Sequence, residues 1–194
     1  GTSNQGEVHE AMNFAGVHRL PVIFVCENNG YAISVPLDRQ VAGGSVAARA
    51  AGYGMPGVVV DGGDVLACYA ATREAHERAV RGDGPTLIEA NVVRLTSHSS
   101  DDDQRRYRDP AEVEQLKERD PIPMFANELR AAGILTDELD EQLRAEIKAE
   151  VNEANKRAEA RSEPTTDDAH ERVYAEPIPG GGTATPLAPI GEGH

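Results

Sequence analysis

Seven apolar residues in a row, Leu20 to Cys26, run straight into Glu27-Asn28-Asn29-Gly30, and that abrupt change constrains the fold on both sides of it. The length of the run and its branched and aromatic side chains suit a strand covered on both faces, as in a parallel sheet. In open α/β sheets, ligands bind beyond the carboxyl ends of the strands. Two side-chain amides at that place offer hard oxygens suited to a cation such as Mg²⁺. The same text also fits a hairpin, because Asn and Gly tolerate positive φ in a tight turn. From this stretch alone both foldings stay open.

The neighbouring text favours the sheet. Gly1 to Gly6 is small and polar, and Glu7 to His18 carries Val8, Ala11, Met12, Ala15 and Gly16 at helical spacing. A glycine-bearing turn that opens a helix is a ready anion site, since free N–H groups and the helix dipole both favour phosphate. Downstream, Val35 to Gly54 reads as small, polar and turn-prone, with Gly43-Gly44 at its centre. Val58 to Val60 then reads as a short buried strand, and Asp64 as the N-cap of a helix that stops at Gly82-Asp83-Gly84-Pro85. Thr86 to Leu95 is the next expected strand. Strand, helix, strand alternation implies a parallel sheet with helices on its faces. Asp109-Pro110 and Asp120-Pro121 open two further helices, and Thr136 a third with Leu139, Leu143, Ile147 and Val151 on one face.

These motifs resemble the alpha subunit of the thiamine-diphosphate-dependent 2-oxo acid dehydrogenases. The cofactor signature of that family is Gly-Asp-Gly, a helix, a strand, then Asn-Asn. Here Gly1 stands as the last residue of the triplet, and 26 residues separate it from Asn28. The resemblance implies a doubly wound α/β fold, here its C-terminal part, with C-terminal helices and an extended tail. It implies thiamine diphosphate and Mg²⁺ as cofactors. Gly1 and Thr2 would meet the diphosphate through backbone N–H groups, Asn29 and the carbonyl of Tyr31 would bind the metal, and Ala32 and Ile33 would line the cofactor. The acidic metal ligand of the family has no counterpart in this chain, so weak cofactor binding is expected of the chain alone. His98, in the Ser97-to-Arg108 loop after the last strand, would sit by the diphosphate and the reacting carbon as the catalytic residue. A bare reading of that loop gives a solvated segment with an ordinary histidine. Asp101-Asp102-Asp103 and Tyr107-Arg108 resemble the branched-chain 2-oxo acid type most closely. Ser99 matches a serine phosphorylated in animal members, a control not expected here. His9, His18 and His76 fall on expected helices and read as structural or solvent-facing.

The implied activity is oxidative decarboxylation of branched-chain 2-oxo acids, with the acyl group passed to a lipoyl group. The implied partners are a beta subunit, in an α2β2 heterotetramer, and a lipoyl acyltransferase core. Pyruvate and acetoin dehydrogenase alpha subunits stay open, as does a non-catalytic fragment that keeps only the fold and a subunit interface. The organisation expected is residues 1–110 as the α/β part, 111–161 as a helical extension and 162–194 as a Pro/Gly-rich tail or arm. A chain starting at Gly1 without methionine reads as a segment lacking its upstream part. The net charge of −14, most of it between Asp101 and Glu171, argues against nucleic acid and anionic membrane surfaces. No apolar run nears the roughly 20 residues of a membrane span. Cys26 and Cys68 both lie in apolar patterns and suit reduced thiols in a cytoplasmic protein.

Overall fold

The computed structural model of the chain describes residues 1–166. It divides into two units, Gly1–Thr136 and Asp137–His194. In the first, a single 3-10 turn, Thr2–Asn4, leads into α1 (Gly6–Val17). Strand β1 (Ile23–Asn28) follows, then two short strands, β2 (Tyr31–Ala32) and β3 (Val35–Pro36), and then β4 (Gly57–Asp61). Helix α2 (Val65–Val80) connects β4 to β5 (Thr86–Asn91). Helices α3 (Pro110–Leu116) and α4 (Pro121–Ala131) close the unit.

Strands β1, β5 and β4 form a parallel sheet in that order. This decides between the two readings of Asn28-Asn29-Gly30: β1 pairs in parallel with β5, and the chain does not turn back on β1. A hairpin does exist one step later, where β2 pairs antiparallel with β3 around Ile33, at φ 55°. Strand β1 starts three residues later than the apolar run. The Leu20 N–H is spent on the Ala15 carbonyl at the end of α1, and Pro21 has no N–H to give. Strand β5 ends at Asn91 and not Leu95, because its partners β1 and β4 stop at Asn28 and Asp61, and the Val92 N–H makes the last bond to the Asn28 carbonyl.

Residues Phe24, Leu87 and Gly57 occupy one cross-strand row, and Cys26, Glu89 and Val59 the next on the same face. Over that face lies the core, in which Met12, Val41, Val46, Ala50, Met55 and Leu87 are all buried. Full burial of a side chain such as Met12 is worth about 1.5–3 kcal/mol. Half of this cluster comes from residues 41–50, inside the segment that reads as turn-prone. There a 3-10 helix, Ala47–Tyr53, packs against β4 and β5. Helix α2 lies against all three strands of the sheet.

The helix starts follow the sequence closely. Asp64, Asp109 and Asp120 each cap their helix, accepting from the N–H groups of Ala67, Ala111 and Ile122 at 2.8, 2.8 and 3.0 Å. In the second unit, α5 (Asp137–Glu159) carries acids in its first turn and Lys156 and Arg157 in its last, matching the helix dipole. Its apolar stripe, Leu139, Leu143, Ile147 and Val151, is exposed. Residues 162–166 form neither helix nor strand, and the rest of the expected tail, 167–194, lies outside the described residues. Among the described residues, no helix is long and apolar enough to cross a membrane.

Candidate cofactor site at the carboxyl end of β1

All seven residues singled out from the sequence, Gly1, Thr2, Asn29, Tyr31, Ala32, Ile33 and His98, line one cavity of about 740 Å³. That volume lies within the range of small-molecule sites. Three separate segments meet there: the turn before α1, the turn after β1, and the loop after β5. Phe24, Cys26 and Leu87 form an apolar floor, and Gln5, Glu27 and Gln40 add polar groups to the wall. At Gly1 the fit is close, since a Cβ there would stand 3.1 Å from the Cβ of Ala32. Neither the 3-10 turn nor α1 has a side-chain cap at its N-terminus, so no side chain competes there for the first N–H groups.

The turn after β1 is built from two successive side-chain-to-backbone bonds. Asn28 Oδ1 accepts from the Gly30 N–H at 3.0 Å, and Asn29 Oδ1 accepts from the Tyr31 N–H at 3.0 Å. Gly30 sits at φ 80°, which an Asn-Asn-Gly text supplies without strain. Behind the turn stands Glu89, 2% exposed, which the sequence reading placed in the Thr86-to-Leu95 strand without a role of its own. Its carboxylate accepts from Asn28 Nδ2 at 2.6 Å, Ser45 Oγ at 2.6 Å and the Ala47 N–H at 2.7 Å. Burial alone would raise its pKa. The bonds from Ala47, Ser45, Asn28 and Val46 together outweigh burial and hold it below the usual glutamate range. Burial, and then the charge of Glu89, push the Cys26 thiol up, so it stays protonated.

The loop carrying His98 is tied down at Asp102 and Tyr107, although His98, Ser99, Ser100 and Asp101 are exposed to solvent. The His98 N–H donates to Asp102 Oδ2 at 2.8 Å, and the Tyr107 hydroxyl donates to the same oxygen at 2.5 Å. Tyr107 in turn accepts from Arg94 Nη2 at 2.7 Å, and that same nitrogen reaches the Ile33 carbonyl at 2.9 Å. Arg94 and Arg108 both lie over the Tyr31 ring, at 5.6 and 5.3 Å. Nothing local in the sequence distinguishes Asp102 from its two neighbouring aspartates. Of the other histidines, His9 shares a 2.5 Å hydrogen bond with the Tyr53 hydroxyl, while His18 and His76 are exposed.

The tether has a pH dependence. The Tyr107 hydroxyl, and then the His98 N–H, hold the Asp102 carboxyl below its ordinary range. A carboxyl whose pKa is depressed on folding stabilises above its unfolded pKa, and that contribution is lost as pH falls through the folded value. The His98 amide should therefore be protected from exchange at neutral pH. It should lose protection, relative to its intrinsic rate, as the pH drops below about 3.9, the ordinary aspartate value. Asp102→Asn should be loose already at neutral pH and show no acid transition; a transition that survives the substitution would assign it to another group.

This chain matches the family described as "Dehydrogenase E1 component" over residues 1–167. The chain belongs to the dehydrogenase E1 component family. Among its relatives is the "2-oxoisovalerate dehydrogenase subunit alpha" of Bacillus subtilis (strain 168), 53% identical over 176 residues, or 91% of this chain and 53% of the relative. The "3-methyl-2-oxobutanoate dehydrogenase subunit alpha" of Mycobacterium tuberculosis (strain ATCC 25618 / H37Rv) is 46% identical over 180 residues, 93% of this chain and 49% of the relative. The "Pyruvate dehydrogenase E1 component subunit alpha" of Staphylococcus epidermidis (strain ATCC 12228 / FDA PCI 1200) is 39% identical over 177 residues, 91% and 48% respectively. This E1 chain therefore spans about half the length of the curated relatives it matches.

Proposed function

We propose that the chain supplies the diphosphate-and-metal half of a thiamine diphosphate site in a branched-chain 2-oxo acid dehydrogenase, on a doubly wound α/β domain. The observation that carries this reading is the single cavity at the carboxyl end of β1, lined by residues from three distant segments. The donor chemistry fits. Asn29 Oδ1 and the Tyr31 carbonyl are two hard neutral oxygens that would suit Mg²⁺. Backbone N–H groups of Gly1 and Thr2 bind the diphosphate, as helix-opening turns do. Ala32 and Ile33 pack on the cofactor, and His98, which lines the same cavity, is placed to hydrogen-bond it. When bound, thiamine diphosphate supplies the nucleophilic carbon and electron sink that decarboxylation of a 2-oxo acid requires. A beta-type subunit completes the site in an α2β2 assembly, and a lipoyl group on an acyltransferase core takes the acyl product.

The substrate class rests on identity: 53% to a 2-oxoisovalerate subunit against 39% to a pyruvate subunit. Among the described residues, no group of three or more His, Cys, Asp or Glu side chains could hold a metal. The two oxygens proposed here to face Mg²⁺, Asn29 Oδ1 and the Tyr31 carbonyl, are both neutral, while the Glu27 carboxylate lines the same cavity. Titration calorimetry with thiamine diphosphate and Mg²⁺ tests the proposal, with and without a polypeptide carrying the Gly-Asp part of the signature. Binding should appear on complementation, and Asn29→Ala should weaken it by about tenfold or more, the scale of losses at metal sites. No binding in either arm would leave the chain a fold-bearing interaction module and remove the roles given to Asn29 and His98.

A further inference from the structure

We propose that Glu89 is a positioning residue for the metal-binding turn, acting through the side chain of Asn28; this rests on the functional reading above. Glu89 sits in the middle of the central strand β5, opposite Cys26 of β1 and 2% exposed. A purely structural residue at that place would be served by an apolar side chain, because a buried charge is costly unless its bonds are all made. Its partners here, Asn28, Ser45 and Ala47, are all neutral donors.

What a carboxylate does that no apolar residue can do is fix direction. An ionised carboxylate only accepts hydrogen bonds, whereas a primary amide donates at one end and accepts at the other. With Glu89 Oε1 2.6 Å away, the Asn28 amide must turn its Nδ2 toward Glu89. Its Oδ1 is then left facing the Gly30 N–H, where it accepts at 3.0 Å. That bond closes the turn at Gly30, whose carbonyl also accepts from the Leu37 N–H at 2.9 Å. The backbone from Asn29 to Tyr31 is thereby set, and with it the two oxygens proposed to face the metal. Were the amide free to flip, Asn28 would present an NH2 group to the Gly30 N–H, and the turn would open.

Glu89→Gln preserves size but brings an NH2 group into a pocket of donors, so at least one bond must fail. Two readouts test the inference in the full chain. Without any cofactor, exchange protection of the Gly30 amide should fall in Glu89→Gln and in Asn28→Ala, and stay in Ser45→Ala. The Ser45 variant cuts a Glu89 bond that does not pass through Asn28, so it should lower thermal stability alone. Under the complementation conditions given above, Mg²⁺-dependent thiamine diphosphate affinity should drop about tenfold or more in Glu89→Gln. The double variant Glu89→Gln/Asn28→Ala should be no weaker than Asn28→Ala, since both act on one path. Unchanged Gly30 protection in Glu89→Gln would overturn the proposal, as would additive losses in the double variant or an equal affinity loss in Ser45→Ala. Loss of Gly30 protection in a protein that binds no cofactor even before substitution would support the turn-setting role and overturn the functional reading instead.

Discussion

Gly57→Ala should cost about 3 kcal/mol or more, at the upper end of overpacking penalties. An alanine Cβ there would stand 2.1 Å from the Ala47 carbonyl oxygen, 2.9 Å from its carbon and 3.0 Å from the Ala50 Cβ. The first two are backbone atoms of the 3-10 helix Ala47–Tyr53, so no rotamer change relieves the contact. Either that helix lifts from β4 or the strand shifts within its ladder. Against a typical total stability of about 5–15 kcal/mol, the loss should lower the melting temperature by roughly 10 °C. Gly52→Ala, in the same helix, is the control. Nothing lies within 4 Å of its added Cβ, and a tolerated Gly→Ala change is neutral or gains about 0.4–1 kcal/mol. The clash also reaches the site, because the Ala47 N–H is one of the donors to Glu89. Thermal denaturation followed by circular dichroism decides it: a Gly57→Ala melting curve overlying that of Gly52→Ala would mean that the helix docks more loosely than the contacts require.

The contrast between Gly57 and its surroundings shows where the sequence is legible and where it is not. Caps and stops act within a few residues, so Asp64, Asp109 and Asp120 could be read directly, as could the parallel arrangement from strand and helix alternation. Residues 37–55 could not. Val41, Val46, Ala50 and Met55 follow no single period. Their burial depends on Leu87 and Met12 from distant parts of the chain, and small residues such as Gly16 and Gly57 matter only through what approaches them. The candidate site divides in the same way. Residues next to the Asn28-Asn29 motif, and His98 in the loop after a strand, could be picked out through the resemblance of their surrounding text to the family. The supports behind them, Glu89, Arg94 and the choice of Asp102 among three aspartates, are long-range pairings with no local signature. Arg94 reaches Ile33 across 61 positions and Glu89 reaches Asn28 across the same span.

Arg94→Leu should release the His98 loop while leaving the sheet intact. Arg94 leaves the end of β5 and holds two segments at once, the Ile33 carbonyl at 2.9 Å and the Tyr107 hydroxyl at 2.7 Å. It also lies over the rings of Tyr31 and Tyr107, at 5.6 and 5.8 Å. Hydrogen bonds from a charged donor are worth about 1.5–3 kcal/mol each, and each cation–π contact about 0.5–1 kcal/mol where partly exposed. The gross loss is offset, because Arg94 Nε and Nη1 are buried without a hydrogen-bond partner among the described residues, and leucine removes that cost together with the charge. Leucine also keeps much of the apolar stem packed. The net effect should be about 2 kcal/mol on local opening, or roughly 30-fold faster amide exchange across residues 97–107. Exchange in β5 should not change, since Arg94 lies beyond its ladder. Tyr107 would lose its donor but keep Asp102, so Tyr107→Phe should loosen the same amides by a smaller factor. Arg108 bonds independently to the Arg94 backbone carbonyl at 2.6 Å, which a side-chain substitution leaves in place, and this keeps the loop's far end attached. Faster exchange confined to 97–107 would locate the hold on His98 in the Arg94 side chain. Uniformly faster exchange through β5 as well would mean that Arg94 supports the whole sheet and that the loop has no separate latch.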